Sequence, residues 1–333
     1  MFSSSNREAL FYEKLDDGRV RCMLCPNLCV VGDGSEGRCM VRRNESGKLV
    51  TLSYGNTVTA ALDPIEKKPL YHFMPGSTIL SIGPNGCTLT CDHCQNWQIS
   101  QEKVPVRYIS PEDLVELGGR DGSVGVAFTY TEPLIWYEYL LDALPLLRDA
   151  GLKSVLVTNG YLNEEPARKI VQLVDGFNVD LKSFDDGFYR KYCGGSLEPV
   201  KRFIGIAAGH SHVEVTCLVI PGLNDTGEEV GKMAEWLSGI SREIPLHLSR
   251  FFPRYRMDDR PPTPQETLET AYRKAREYLD YVYVGNIFIE GTENTACSAC
   301  GADAVLRSGY SAELRAPGGI CSSCGHEIKG VWK

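Results

Sequence analysis

Between Thr78 and about Ile289 the chain alternates two hydrophobic periods. Short, nearly continuous apolar runs recur at 78–83, 124–130, 153–158, 176–182, 212–220, 245–251 and 281–284. Several of these runs are continuously apolar, which predicts strands buried on both faces. Between them Leu134, Tyr137, Leu141, Leu144 and Leu147 recur at helical intervals, as do Val230, Met233, Leu237 and Ile240. These predict helices over 134–147 and 226–240. Thr263-Pro264 opens a third, over 264–280. Strand–helix alternation predicts a parallel sheet. At ~35 residues per unit, about six units fit, which makes the fold α/β with a partial (β/α)6 barrel.

The flanks are patterned differently. Residues 1–75 hold no long periodic helix, only short strand runs at Leu49–Tyr54 and Thr57–Leu62. The stretch 63–73 is broken by Pro64 and Pro69 and carries Glu66, Lys67, Lys68 and His72. It reads as a charged surface loop, or as a segment that closes over a site or docks a partner. Residues 291–333 form a separate module. The expected division is therefore 1–75, 76–290 and 291–333. Of 333 residues 43% are hydrophobic, ordinary for a folded chain. The formal net charge of −8 argues against a general nucleic-acid binder, whose affinity rests on neutralising phosphates. No run approaches the ~18 apolar residues of a membrane span. The first residues, MFSSSNREALFYEKL, lack the apolar core of a secretory signal, so a cytoplasmic protein is expected.

Composition changes this picture at the cysteines. Of 13, eleven fall into three clusters: 22/25/29/39, 87/91/94 and 297/300/321/324. In a reducing compartment such clusters read as metal sites rather than disulfides. Cys297, Cys300, Cys321 and Cys324 form two C-x2-C knuckles 20 residues apart, a zinc-ribbon pattern, with a rubredoxin-like iron site as the alternative. Cys22, Cys25, Cys29 and Cys39 fit either zinc, the preferred reading, or an auxiliary iron–sulfur cluster that passes electrons to the central site. Cys217, in an apolar run, reads as a buried small hydrophobe. Cys193 lies in a turn and reads as structural.

Cys87, Cys91 and Cys94 make a C-x3-C-x2-C loop directly after the 78–83 strand. Iron–sulfur clusters prefer four protein thiolates. A loop that offers three leaves one iron open for a substrate or cosubstrate. A zinc site completed by His93 is the alternative. In a parallel α/β sheet function gathers at the carboxyl ends of the strands. Those ends carry Thr131-Glu132-Pro133, Asn159, Asp180 with Lys182, Asn224-Asp225, and Arg250 after His247. Asp180 and Lys182 share one strand face, because side chains two apart do. Glu132 supplies negative charge near the site or starts a helix as a surface acid. Asn159 is placed to hydrogen-bond a ribose or a carboxylate. Arg250 suits a carboxylate, and a lone His247 reads as structural.

These segments, with DPIEKKPLYHF, FTYTEP, DLKSF, VIPGLND, the SRFFP run and YVGN, resemble radical S-adenosylmethionine (SAM) enzymes over nearly the whole chain. Together they resemble the radical SAM enzyme of the AmmeMemoRadiSam system, a relative of pyruvate formate-lyase activating enzyme. The resemblance implies a [4Fe–4S] cluster on Cys87, Cys91 and Cys94 that holds SAM and cleaves it to a 5′-deoxyadenosyl radical. It implies that Thr131 and Glu132 lie near the SAM ammonium, where many relatives have two glycines in place of Tyr130-Thr131. It implies SAM contacts for Asp180 and Lys182. Where relatives carry a histidine near the ribose, this chain has Phe252, which leaves that contact without its usual residue. It implies hydrogen abstraction from an unidentified substrate, with activation of a glycyl-radical partner as the alternative. It also implies Memo-type and AMMECR-type partners and a flavodoxin- or ferredoxin-like electron donor. A multi-cluster electron-transfer or binding protein is a further alternative, but an electron-transfer protein has no use for Glu132, Asn159, Asp180 and Lys182 at the strand ends.

Overall fold

In a computed structural model, which describes residues 6–333, the chain is built on one eight-stranded sheet. Its strands are β1 (Thr59–Pro64), β2 (Thr78–Gly83), β3 (Ser123–Phe128), β4 (Lys153–Thr158), β5 (Gly176–Asp180), β6 (His212–Val219), β7 (Leu246–Arg250) and β8 (Val282–Gly285). They lie in chain order across the sheet. Neighbours from β2 to β8 pair in parallel, and β1 pairs antiparallel with β2 as an edge. The helices are α1 (Pro111–Gly118), α2 (Tyr137–Asp149), α3 (Glu164–Ile170), α4 (Leu197–Ala208), α5 (Gly227–Ser238) and α6 (Gln265–Arg276). Each strand from β2 to β7 leads into one of these helices, with short extra helices at Trp97–Gln101 and Asp186–Phe188, giving six strand–helix units and a closing strand. The sequence pattern therefore located every parallel strand. It did not single out α1, α3 and α4, which are shorter or carry glycine and proline.

The two faces of β6 show how the sheet is divided. Val213, Val215, Cys217 and Val219 join the main apolar core, together with Val200, Phe203, Ile204 and Ala207 of α4. The alternate residues Glu214 and Thr216 face the other way, into the concave side. Burying a carboxylate there is costly unless donors surround it. The segment 65–73 supplies them.

That segment is not a surface loop. Ile65, Leu70 and Phe73 are fully buried and pack on Ile79, Ala127 and Val155. The apolar residues between the charges drive it into the barrel, where it forms a floor at the amino ends of the strands. Glu214 accepts from the backbone N–H groups of Tyr71 (3.0 Å) and His72 (2.7 Å), and pairs with His212 (2.9 Å) and His247 (2.6 Å). These donors hold its carboxyl well below the usual range even though burial pushes the other way. An ionised carboxylate only accepts, so both imidazoles present Nε2–H.

The flanking modules clasp this barrel. The N-terminal part forms two three-stranded antiparallel sheets. The C-terminal module carries a third, Thr295–Ala296, Asp303–Ser308 and Ser311–Leu314. Arg307 of that module donates to the Tyr71 carbonyl at 2.7 Å and stacks on the Tyr71 ring. His72 bonds Tyr283 Oη at 2.6 Å and the Lys329 carbonyl at 3.0 Å. The C-terminal module thus seals the floor from below. No helix among the described residues is long and apolar enough to cross a membrane.

Candidate active site at the carboxyl edge of the sheet

Strand register brings Gly83, Phe128, Thr158, Asp180, Val219 and Arg250 to one edge. The cysteine loop leaves β2 at this edge. Three fastenings fix its path. Thr90 N–H donates to the Cys193 carbonyl and Asp92 N–H to the Tyr192 carbonyl, both at 2.9 Å. Arg38 of the N-terminal module donates to Thr90 Oγ1 (3.2 Å) and to the Gly194 carbonyl (2.5 Å). Asn27 Nδ2 donates to the Thr88 carbonyl at 2.7 Å. Gly86, at φ +111°, lies so close to the Cys39 carbonyl that any β-carbon would collide with it.

The thiols carry hydrogen-bond donors suited to thiolate ligands. Leu89 N–H (3.4 Å) and Asn159 Nδ2 (3.6 Å) approach Cys87 Sγ, and Ser100 Oγ lies 3.3 Å from Cys94 Sγ. Burial, then the charge of Glu132, raises the Cys87 thiol well above its ordinary value. Burial raises that of Cys94 as well. Cys91 is buried and Cys87 and Cys94 are half-buried, and three such thiols do not ionise together without a cation, so the donor set suits a metal centre.

Cys91 points toward Cys193, and the two thiols lie with a His93 nitrogen in one buried group within 4.8 Å. The neighbouring Cys193 thiol, ahead of burial, raises Cys91 strongly. Cys193 ends a π-type turn, Tyr189–Cys193, capped by the left-handed Gly194. The turn was legible from Gly194-Gly195, but nothing in the sequence joined it to the 87–94 loop. His93 is 5% exposed, and neither ring nitrogen has a partner. Burial and the Lys182 charge push it down to about 3, so the ring is neutral.

Lys182 Nζ donates to Asp180 Oδ2 at 3.0 Å. Burial opposes the ammonium charge, but Asp180 and the thiols of Cys91 and Cys193 more than offset this and raise its pKa. Asn224 holds the strand end beneath it, donating to the Lys182 carbonyl at 2.6 Å. Asn159 also donates to Thr88 Oγ1 (3.1 Å), so it braces the loop from β4. Thr131 Oγ1 donates to the Pro84 carbonyl at 2.7 Å. Arg250 lies at the far end of the edge, with Nε on the Thr263 carbonyl (2.8 Å) and its guanidinium over Phe252. Asp180, Lys182 and Asn159 are therefore gathered at the loop, Thr131 touches its start, and Arg250 stands across the mouth.

Glu132 is 1% exposed and caps the short helical turn Pro133–Trp136. Its oxygens accept from Leu134 N–H (3.0 Å), Thr158 Oγ1 (2.6 Å) and Asn159 N–H (2.8 Å). The side chain straps β3 to β4 and starts a helix, as one of its sequence readings had it, but from a buried position. Burial pushes its carboxyl up to about 7. Sequence reasoning also missed Tyr130 and Lys68. Both reach Asp63 inside the barrel, at 2.9 and 2.7 Å.

The two terminal cysteine sets differ. Cys297–Cys324 and Cys300–Cys321 Sγ atoms lie 3.7 and 3.6 Å apart, and all four are within 4.8 Å of one another. A tetrahedron with 2.3 Å metal–sulfur bonds has edges of about 3.8 Å. Cys22, Cys29 and Cys39 are grouped around Cys25, close enough for their charges to oppose its ionisation. Among the described residues, however, no three of their sulfurs come within 4.8 Å.

Comparison with known proteins agrees with this geometry. Residues 81–237 match the family model described as the Radical SAM superfamily. An uncharacterized protein of Methanocaldococcus jannaschii is 42% identical over 331 residues, covering 97% of this chain and 98% of that protein. The pyruvate formate-lyase-activating enzyme of Clostridium pasteurianum is 27% identical, covering 46% of this chain and 67% of the enzyme. Streptococcus suis SuiB, solved bound to S-adenosylmethionine, shares the fold at a TM-score of 0.50 and 10% identity, over 66% of this chain and 52% of that one. The cysteine loop, the parallel sheet and these similarities lead to one conclusion: the chain belongs to the radical SAM superfamily.

Proposed function

We propose that Cys87, Cys91 and Cys94 hold a [4Fe–4S] cluster with one open iron, and that SAM lies between this loop and the strand ends. The observation that carries the reading is the grouping of three buried or half-buried thiols with the Lys182–Asp180 pair and a neutral, unpartnered His93 at one edge. When bound, cluster and SAM supply one-electron cleavage of a sulfonium and hydrogen-atom abstraction from a substrate carbon. The chain's own residues do the positioning. Asn159 orients Cys87 and Thr88. Lys182 places a fixed positive charge beside the Cys91 thiolate, and Asp180 shares that charge while facing the mouth. Glu132 keeps β3 and β4 in register beneath the ligand. Thr131 and Arg250 offer a hydroxyl and a guanidinium to SAM or substrate from opposite sides. The sealed floor keeps bulk water from reaching a radical through the barrel.

The substrate is a carbon centre still to be identified. A second reading, activation of a partner protein, is favoured by the similarity to the pyruvate formate-lyase-activating enzyme. A ferredoxin- or flavodoxin-type donor fits either reading. Memo-type and AMMECR-type partners enter through the resemblance of DPIEKKPLYHF and its companion segments. The tetrahedral spacing of Cys297, Cys300, Cys321 and Cys324 supports structural zinc at the C-terminal module. The test is anaerobic incubation of reconstituted protein with dithionite and SAM. Formation of 5′-deoxyadenosine that depends on Cys87, Cys91 and Cys94 supports the reading. An intact cluster that never cleaves SAM opposes it.

A further inference from the structure

We propose that Cys22, Cys25, Cys29 and Cys39 ligate a second iron–sulfur cluster, which relays single electrons to the loop of Cys87, Cys91 and Cys94. The relay half rests on the proposed function; the metal site does not.

Spacing separates this site from zinc. One chain contains two complete four-cysteine sets. The C-terminal four are drawn to the edges expected around a single ion. The N-terminal four are grouped at Cys25 but stand wider, as do Cys87, Cys91 and Cys94. A multi-iron cluster puts several metal ions and sulfides between its thiolates, so its ligands stand farther apart than those of one ion.

The surroundings suit an anionic centre. Arg42 is 1% exposed, and its charge faces Cys22 and Cys39. Its Nη atoms are held by Glu138 and the Leu10 carbonyl, while its buried Nε has no partner. Arg38 N–H donates to Cys29 Sγ at 3.5 Å. Four thiolates fill every iron, leaving no open position for a substrate, so the chemistry left to such a cluster is electron transfer.

The position suits a relay. The Cys39 carbonyl lies against Gly86, the residue before Cys87. Asn27 and Arg38, both within this cysteine set, hold Thr88 and Thr90 of the central loop. A low-potential one-electron donor of the ferredoxin or flavodoxin class would reduce the N-terminal cluster. That cluster is reoxidised as it reduces the central one, and no bond forms or breaks.

The test uses the full chain with Cys87, Cys91 and Cys94 all changed to alanine, reconstituted anaerobically with iron and sulfide in the presence of zinc. The expected result is a folded variant that keeps roughly four irons, about half the wild-type content, with an electron paramagnetic resonance signal after dithionite reduction. A folded variant with about two zinc ions and only trace iron overturns the proposal while leaving the radical SAM reading intact. The converse variant, Cys25→Ser with Cys29→Ser, keeps the proposal falsifiable if the first misfolds. It should lose about half the iron yet retain the SAM-sensitive signal of the central cluster. Reduction of that cluster by reduced ferredoxin should slow at least about tenfold, while dithionite reduction is unchanged. An unchanged iron content or an unchanged rate with ferredoxin would reject the site or the relay respectively.

Discussion

The barrel buries charged groups at both ends and treats them differently. At the floor, Glu214 has four protein donors, and His72, Tyr283, Thr295 and Arg307 continue the network into the C-terminal module. Arg307 Nε and Glu66 Oε2 there lack a hydrogen-bond partner, but the two side chains neutralise each other as an ion pair at 3.9 Å. At the mouth, neither nitrogen of His93 has a hydrogen-bond partner, and the Lys182 ammonium lies beside the thiols of Cys91 and Cys193. Polar groups satisfied by the chain stabilise the fold, while polar groups left open cost stability unless a ligand satisfies them. The difference separates structure from function without reference to any relative. A substitution at the floor should cost folding, and one at the mouth should cost chemistry.

The strongest way to break this comparison is Cys91→Ala. It should abolish 5′-deoxyadenosine formation under dithionite and leave circular dichroism and melting temperature close to wild type. A variant that still forms 5′-deoxyadenosine at the wild-type rate would remove the central loop from the chemistry. The next largest effect is expected at the floor. Glu214→Ala strips four donors of one acceptor and leaves two histidines facing an apolar gap. Denaturant unfolding should show a loss of ~3–5 kcal/mol, the range found when one partner of a buried pair is removed. The folded fraction should bind SAM as wild type does.

The same contrast explains what was legible in the sequence. The parallel strands announced themselves because runs such as 124–128 stay free of polar residues where both faces are covered. The cysteine loop and the Asp180–Lys182 pair were legible because their spacing is local. The floor was not. Glu214 sits inside an apolar run, and its partners Tyr71, His72 and His247 are distant in the chain. The segment 63–73 looked like a surface loop because charge dominates its composition, yet Ile65, Leu70 and Phe73 decide where it goes. Cys193 reads as structural in the sequence because only folding brings it to Cys91. Local chemistry is written in spacing, whereas closure is written in long-range pairings that spacing does not reveal.

Two smaller effects sharpen the comparison. Cys300→Ala opens the C-terminal tetrahedron, and a structural metal contributes folding energy directly. The melting temperature should fall by several degrees, at roughly 2–4 °C per kcal/mol for large domains, with loss of bound zinc. A normal melting curve with normal zinc would show that Cys300 is not a ligand. Lys182→Met tests the mouth without touching a cysteine. Asp180 is 38% exposed at its side chain, so it stays hydrated when its partner goes. Stability should shift by less than ~1 kcal/mol. SAM affinity, measured by equilibrium binding to the reconstituted protein, should fall at least about tenfold, or ~1.4 kcal/mol. A variant that unfolds but binds SAM normally would place Lys182 with the floor residues instead.

The smallest effect is a difference in slope. The Glu214 carboxyl is held well below its ordinary value by His212, His247 and two backbone donors. A depressed carboxyl contributes stability that is fully present above its unfolded pKa and is lost as pH falls toward the depressed native value. The loss therefore begins below about pH 4.5, at up to ~1.4 kcal/mol per pH unit for one group. Glu214→Gln removes that titration. Its unfolding free energy, followed in denaturant from pH 5 downward, should fall less steeply than that of wild type, by about one proton's worth. Equal slopes would mean that Glu214 enters the folded state already protonated. The floor would then be held by neutral hydrogen bonds, and the charge contrast between the barrel's two ends would rest on the mouth alone.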